Sequence, residues 1–287
     1  MTKIIIKVFL FFIGLVCIMY PLVTKYITFR NQTISIFNYE AELKIMEQTE
    51  LDNKIKNAEE INKEKITETI VVNPNDIDNI IEVNSSSSFF KFGDMIGYVE
   101  IPKINVNLPI YEGVNTDNLS KGVAHIEETS LPTGEKNTNC VLAGHTGIFN
   151  AIIFDNIDML EIDDEFYIIF LNQKNKYKII DKREVFQNEV ENIKIEENRC
   201  LVTLVTCVLR LDNRQRLLVI GEKVEEEKDI EDEGINNEEQ LTTTKLTNIS
   251  ELNILKNFVK NNKEFIITIL SIILIIIIFE VISNRKK

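Results

Sequence analysis

The chain has 287 residues, 44% of them hydrophobic and 27% charged, with a formal net charge of −13 at pH 7. That acidic balance argues against a nucleic-acid-binding surface, which would be basic. There is no P-loop, no dinucleotide fingerprint and no His/Cys pair at metal-ligand spacing, so neither a cofactor nor a metal is expected.

In chain order, the first element is a membrane anchor, expected over residues 4–24. Val8 to Val23 is almost wholly apolar, about the length of a spanning helix. Lys3 and Lys7 lie on its N-terminal side, and no small-residue cleavage site follows, so the segment reads as uncleaved. Residues 38–92 form an extension. From Tyr39 to about Val71 it has no Gly or Pro, and Leu51, Ile55, Ala58, Ile61 and Ile66 recur near helical spacing. One or two amphipathic helices follow from that pattern. Asn73-Pro74 breaks it, and Ser85 to Ser88 reads as a short flexible link.

Residues 93–224 carry strand signals at Met95–Ile101, Leu108–Tyr111, Val123–Ile126, Cys140–Gly144, Phe166–Leu171, Tyr177–Phe186, Leu201–Thr206 and Arg216–Glu222. Eight short strands, with one short helix near Asn150 to Phe154, predict a mainly β domain closed into a barrel. Beyond it, Glu222 to Glu239 holds ten acids and two lysines. Residues 225–262 therefore read as a solvated acidic stalk. A second anchor is expected over 263–283, where an isoleucine-rich run from Phe265 to Phe279 is apolar all round a helix. Arg285-Lys286-Lys287 follows it. Basic residues outside both anchors put both termini in the cytoplasm and the domain between them outside.

The chemistry-bearing residues are few. Cys207 ends the strand-like run Thr203-Leu204-Val205-Thr206, and Arg216 starts the next one. A thiol beside a fixed cation favours the reactive thiolate. Taken alone, the pair reads as a buried strand cysteine and a surface arginine. The chain has two histidines. His145 sits between Gly144 and Thr146-Gly147 at a strand exit, where its ring can face a cleft. Cys140 and Cys200 lie in or at the edge of strands. A bridge between them is open, with two buried free thiols the favoured reading.

These three motifs, in this order, resemble the sortases, cysteine transpeptidases of Gram-positive cell envelopes. Ile96 to Ile104 and Leu108 to Gly113 are similar to the first two barrel strands of that family. Gly122-Val123-Ala124-His125, running on to Thr129-Ser130-Leu131-Pro132, is similar to a segment of its class C, the pilus-assembling branch. Ile153 to Asp158 is similar to the segment after the catalytic histidine. The two-anchor layout points the same way. The resemblance covers roughly Ile96 to Val224. It implies an eight-stranded sortase-type barrel and a thiol-protease type of hydrolase chemistry. Cys207 would be the nucleophile, His145 the general acid and base, and Arg216 the group that holds substrate and oxyanion. Arg214 competes for the arginine role, and the family's interval from Cys to Arg favours Arg216. His125 becomes a structural or cleft-lining residue.

The implied partners are surface proteins or pilins bearing an LPxTG-like motif, together with an amine acceptor. That acceptor is a pilin lysine or the cell-wall precursor. A non-catalytic membrane-tethered scaffold is the remote alternative. Leu131-Pro132-Thr133-Gly134 is short of the sorting motif by a residue and reads as a turn. Class C members keep a lid with an aromatic anchor where Asn73 to Ser88 lies here. This segment has Asp76 and Asp78 but no aromatic, so a lid is either absent or weakly anchored.

Overall fold

The computed structural model describes residues 2–66, 90–147, 153–186, 193–208 and 215–225, with isolated turns between 254 and 271. The lid segment, most of the acidic stalk, Arg214 and most of the expected C-terminal anchor lie outside the described residues. The chain divides into two units, residues 31–230 and the two ends.

In the larger unit, eight strands close a barrel in the order β1-β2-β3-β4-β7-β8-β6-β5. They are β1 (Met95–Ile101), β2 (Val106–Glu112), β3 (Val123–His125), β4 (Thr138–Ala143), β5 (Glu165–Phe170), β6 (Gln173–Phe186), β7 (Cys200–Cys207) and β8 (Gln215–Lys223). All eight overlap the predicted runs, with ends shifted by up to four residues, the largest shift being the start of β6. The barrel closes because β1 pairs antiparallel with both β2 and β5. Two pairings, β2 with β3 and β4 with β7, are parallel. Inward residues such as Val99, Leu142, Phe166, Val202, Leu204 and Val219 fill the barrel. A second cluster covers the outer face of β4, β7 and β8, with Val141, Ala143, Val205 and Leu218 against Leu119 and Ile193. Both faces of β7 are thus covered. This is why even its polar residues, Thr203 and Thr206, are buried.

Two helices precede the barrel, α1 (Thr2–Ile45) and α2 (Gln48–Ile66). The expected boundary between anchor and extension is not a break in structure, since α1 runs through it and through Pro21. The region 38–92 is helical only to Ile66 among its described residues. Phe90 stacks edge-on against Phe170 at 5.9 Å, outside any helix. In α2, Leu51 and Ala58 are buried in the barrel-side core, with Ile55 and Ile61 packed against it. The predicted spacing therefore marks the buried face. Among the described residues, one stretch, Ile13–Ile45 within α1, is long and apolar enough to cross a membrane. In the smaller unit, Phe258 packs edge-on against Tyr26 at 5.2 Å.

Two local helices differ from expectation. α3 (Thr116–Lys121) was not predicted. Asn115 caps it through its side chain, which accepts from the Asn118 amide. Only six residues long, it offers too few turns for a periodic signal. The helix expected near Asn150 to Phe154 falls largely outside the described residues. The described turn nearby is a single 3₁₀ turn, Ile157–Met159.

Tyr39 holds α1 to the barrel. Its hydroxyl donates to the Ile96 carbonyl at 2.6 Å and accepts from the Leu171 amide at 2.9 Å. Tyr39→Phe strands two buried backbone groups and should cost about 1–3 kcal/mol. Thermal unfolding of the two proteins measures this, and an unchanged midpoint would mean that water replaces the hydroxyl.

Candidate active site

Strand register brings Cys207 and Arg216 together. They are direct partners in the antiparallel pairing of β7 with β8, and the Val208 amide still donates to the Gln215 carbonyl just beyond them at 3.0 Å. Cross-strand partners share a face. That face also carries Val205 and Leu218, so both residues stand on the outer apolar cluster. Arg216 is 1% exposed, and Cys207 is half-buried. A buried guanidinium stays charged, so the thiol has a fixed cation as neighbour.

His145 arrives from the adjacent strand. β4 runs parallel to β7, pairing Ala143 with Val205. Gly144 then donates to the Val205 carbonyl at 3.0 Å, and the Thr206 hydroxyl donates to the Gly144 carbonyl at 2.7 Å. The residue before the histidine is tied to the residue before the cysteine. Gly144 is required by space, since a Cβ there would meet the Phe154 ring at 2.4 Å. On the far side, the Phe154 amide donates to the His145 carbonyl at 2.9 Å. Asp155 braces the loop by accepting from the amides of Gly147 at 2.9 Å and Ile153 at 3.0 Å. A tight crevice is lined jointly by His145, Cys207 and Arg216, with Leu119, Ala143 and Val205.

Cys207 also opens on a second cavity of about 280 Å³, whose walls include Thr146, Phe154, Asp158, Glu184 and Leu217. Cys207 therefore borders both spaces. Thr206 and Asp155 were not assigned a role from sequence. Thr206 lay inside the quoted motif, and Asp155 inside the quoted segment after His145, but tertiary contacts alone reveal what they brace.

His125 lies elsewhere. It is fully buried and does not line either space beside Cys207. Its Nδ1 is 2.8 Å from a Glu112 carboxylate oxygen. Its Nε2 faces the Ser130 carbonyl at 3.0 Å and the Thr129 hydroxyl at 3.2 Å. Burial pulls its pKa down. The Glu112 charge, with contacts to Cys140 and Glu112, outweighs that and lifts it to about 10. Cys140 and Cys200 are both buried free thiols, as favoured. Burial raises the Cys200 thiol above its usual range, against hydrogen bonds from Thr138 and Tyr177.

Comparison with known proteins gives one consistent picture. A family model described as the sortase domain matches residues 99–224. A solved sortase C of Clostridium perfringens, with its C-terminal cell wall sorting motif, is 36% identical with a TM-score of 0.58, covering 68% of this chain and 100% of that one. Sortase C1 of Streptococcus agalactiae is 28% identical with a TM-score of 0.60, covering 65% of this chain and 96% of its own. Among curated relatives, Sortase D of Bacillus subtilis is 31% identical over 124 residues, which is 43% of this chain and 60% of that protein's length.

Proposed function

The chain belongs to the sortase family, and on that premise we propose that it is a cysteine transpeptidase of the pilus-assembling class. It cleaves an LPxTG-like motif between Thr and Gly and passes the acyl group to an amine. The observation that carries this reading is the crevice shared by His145, Cys207 and Arg216. The Cys207 thiolate attacks the Thr carbonyl, and the carbon–nitrogen bond to Gly breaks. His145 gives its proton to the departing Gly amine, leaving a thioester on Cys207. Arg216 donates to the oxyanion formed on the way. In the second half His145 takes a proton from the incoming amine, which displaces the sulfur. An acyl group seated on one side of Cys207 leaves the 280 Å³ cavity as an approach for that amine.

Class C structural neighbours favour a pilin lysine as the acceptor. The alternative is the cell-wall precursor, giving simple anchoring. Incubating the full chain with an LPxTG peptide and either a lysine-bearing pilin or an aminated wall fragment separates the two. His145→Ala should lower both half-reactions by about 10²–10⁴-fold. A variant that still formed and resolved the thioester at the parent rate would remove His145 from the mechanism.

We place the catalytic barrel outside the cell, with both termini cytoplasmic. The apolar stretch Ile13–Ile45 and the lysines and arginine at the chain's ends support this. Protease added to intact protoplasts should release the barrel and spare tags at both ends. Loss of a C-terminal tag from outside would refute the two-pass arrangement.

A further inference from the structure

We propose that His125, held as a buried imidazolium by Glu112, is a positioning residue for His145, acting through Thr129 on strand β4. The inference rests on the catalytic reading of His145 above.

The hydrogen-bond directions support the charged ring. The Thr129 hydroxyl gives its own proton to the Ile126 carbonyl at 2.8 Å. Toward His125 it can therefore only accept, as can the Ser130 carbonyl. Nε2 must carry a proton. Nδ1 faces a Glu112 carboxyl oxygen at 2.8 Å, so one more proton lies between them, and the imidazole, the stronger base of the two, holds it. His125 and Glu112 are direct partners in the parallel pairing of β3 with β2, at side-chain exposures of 0% and 3%. Cys140 on β4 also faces the ring, and Lys65 at the end of α2 donates to the Thr129 carbonyl at 2.6 Å. These ionisable groups come from β2, β4 and α2.

From the ring the contacts lead to β4. The Thr129 hydroxyl also accepts from the Val141 amide at 3.0 Å, and the Ser130 hydroxyl from the Asn139 amide at 3.2 Å. β3 itself is only three residues long and ends at His125. The edge of β4 beyond it therefore has few strand partners, and these two hydroxyls satisfy amides that would otherwise be buried unpaired. His125 fixes where those hydroxyls sit. β4 then delivers His145 two residues past its end. A shift of about 1 Å in a catalytic group costs on the order of 100-fold in rate, so the setting of β4 matters to the chemistry.

The test uses the full chain in detergent micelles with isotope-labelled histidine. Its two histidines give two imidazole systems, and His145→Gln assigns them by loss of one. The His125 ring should stay doubly protonated between about pH 5 and 8, where an ordinary histidine titrates. Removing one partner of a buried ion pair is strongly destabilising, so Thr129→Val is the principal variant. It keeps the side-chain shape and the Glu112 contact but loses the hydroxyl. It should shift the His145 ring signals and lower kcat for acylation about 10-fold or more, with KM little changed. Thr129→Ser should restore both. The proposal falls if His125 titrates near its ordinary midpoint. It also falls if Thr129→Val lowers the unfolding temperature but leaves the His145 signals and kcat unmoved. Should the wild-type chain fail to turn over any sorting peptide, the functional reading fails, while the ring signals still decide the positioning.

Discussion

Cys207→Ala is expected to abolish acyl-enzyme formation, a loss of at least about 10⁴-fold, while Cys140→Ala and Cys200→Ala keep it. The three thiols differ in surroundings, not in chemistry. Cys207 ends β7 half-buried, beside Arg216 and opening on two spaces. Cys140 and Cys200 are 1% and 5% exposed inside the barrel wall. A peptide carbonyl is a poor electrophile, so only a thiolate that substrate can reach will attack it. Mass spectrometry of the chain after incubation with a sorting peptide reads the thioester directly. Its appearance on Cys140 or Cys200, or its persistence in Cys207→Ala, would sink the assignment.

Arg216→Lys should lower kcat for acylation by about 10²–10³-fold, the usual loss when an oxyanion donor is removed. The charge survives this change, but the planar fork does not, and a lysine at a buried site loses its charge more readily. Arg216 is 1% exposed across from the sulfur, so a shorter reach cannot be made up from solvent. Arg214→Lys should stay near the parent rate. Steady-state rates with an LPxTG peptide, alongside unfolding midpoints to confirm folding, separate the two arginines. A slow Arg214→Lys beside a normal Arg216→Lys would reverse their roles.

Both expectations depend on contacts that were partly legible beforehand. Strand positions were readable because each strand buries at least one face, and alternation or an apolar run records that burial directly. The eight strands and the helical face through Leu51 and Ala58 needed nothing more. Cys207, His145 and Arg216 are marked out by motifs whose order resembles that of the sortases; without that resemblance, Cys207 and Arg216 read as a buried strand cysteine and a surface arginine.

Pairing was not legible in this way. That β4 lies parallel beside β7, and so sets His145 beside Cys207, depends on strand order across 62 residues of chain separating Gly144 from Thr206. Local pattern carries no information about such partners. The bracing roles of Thr206 and Asp155, and the buried pairing of His125 with Glu112, arise only when distant hydroxyls, amides and carboxylates are brought into one low-dielectric interior. There an unpaired polar group is costly, so each must find a partner. The sequence by itself thus determined the elements and the reactive residue types. The tertiary structure decided which face each one shares, because hydrogen-bond satisfaction is a property of the closed barrel and not of any one strand.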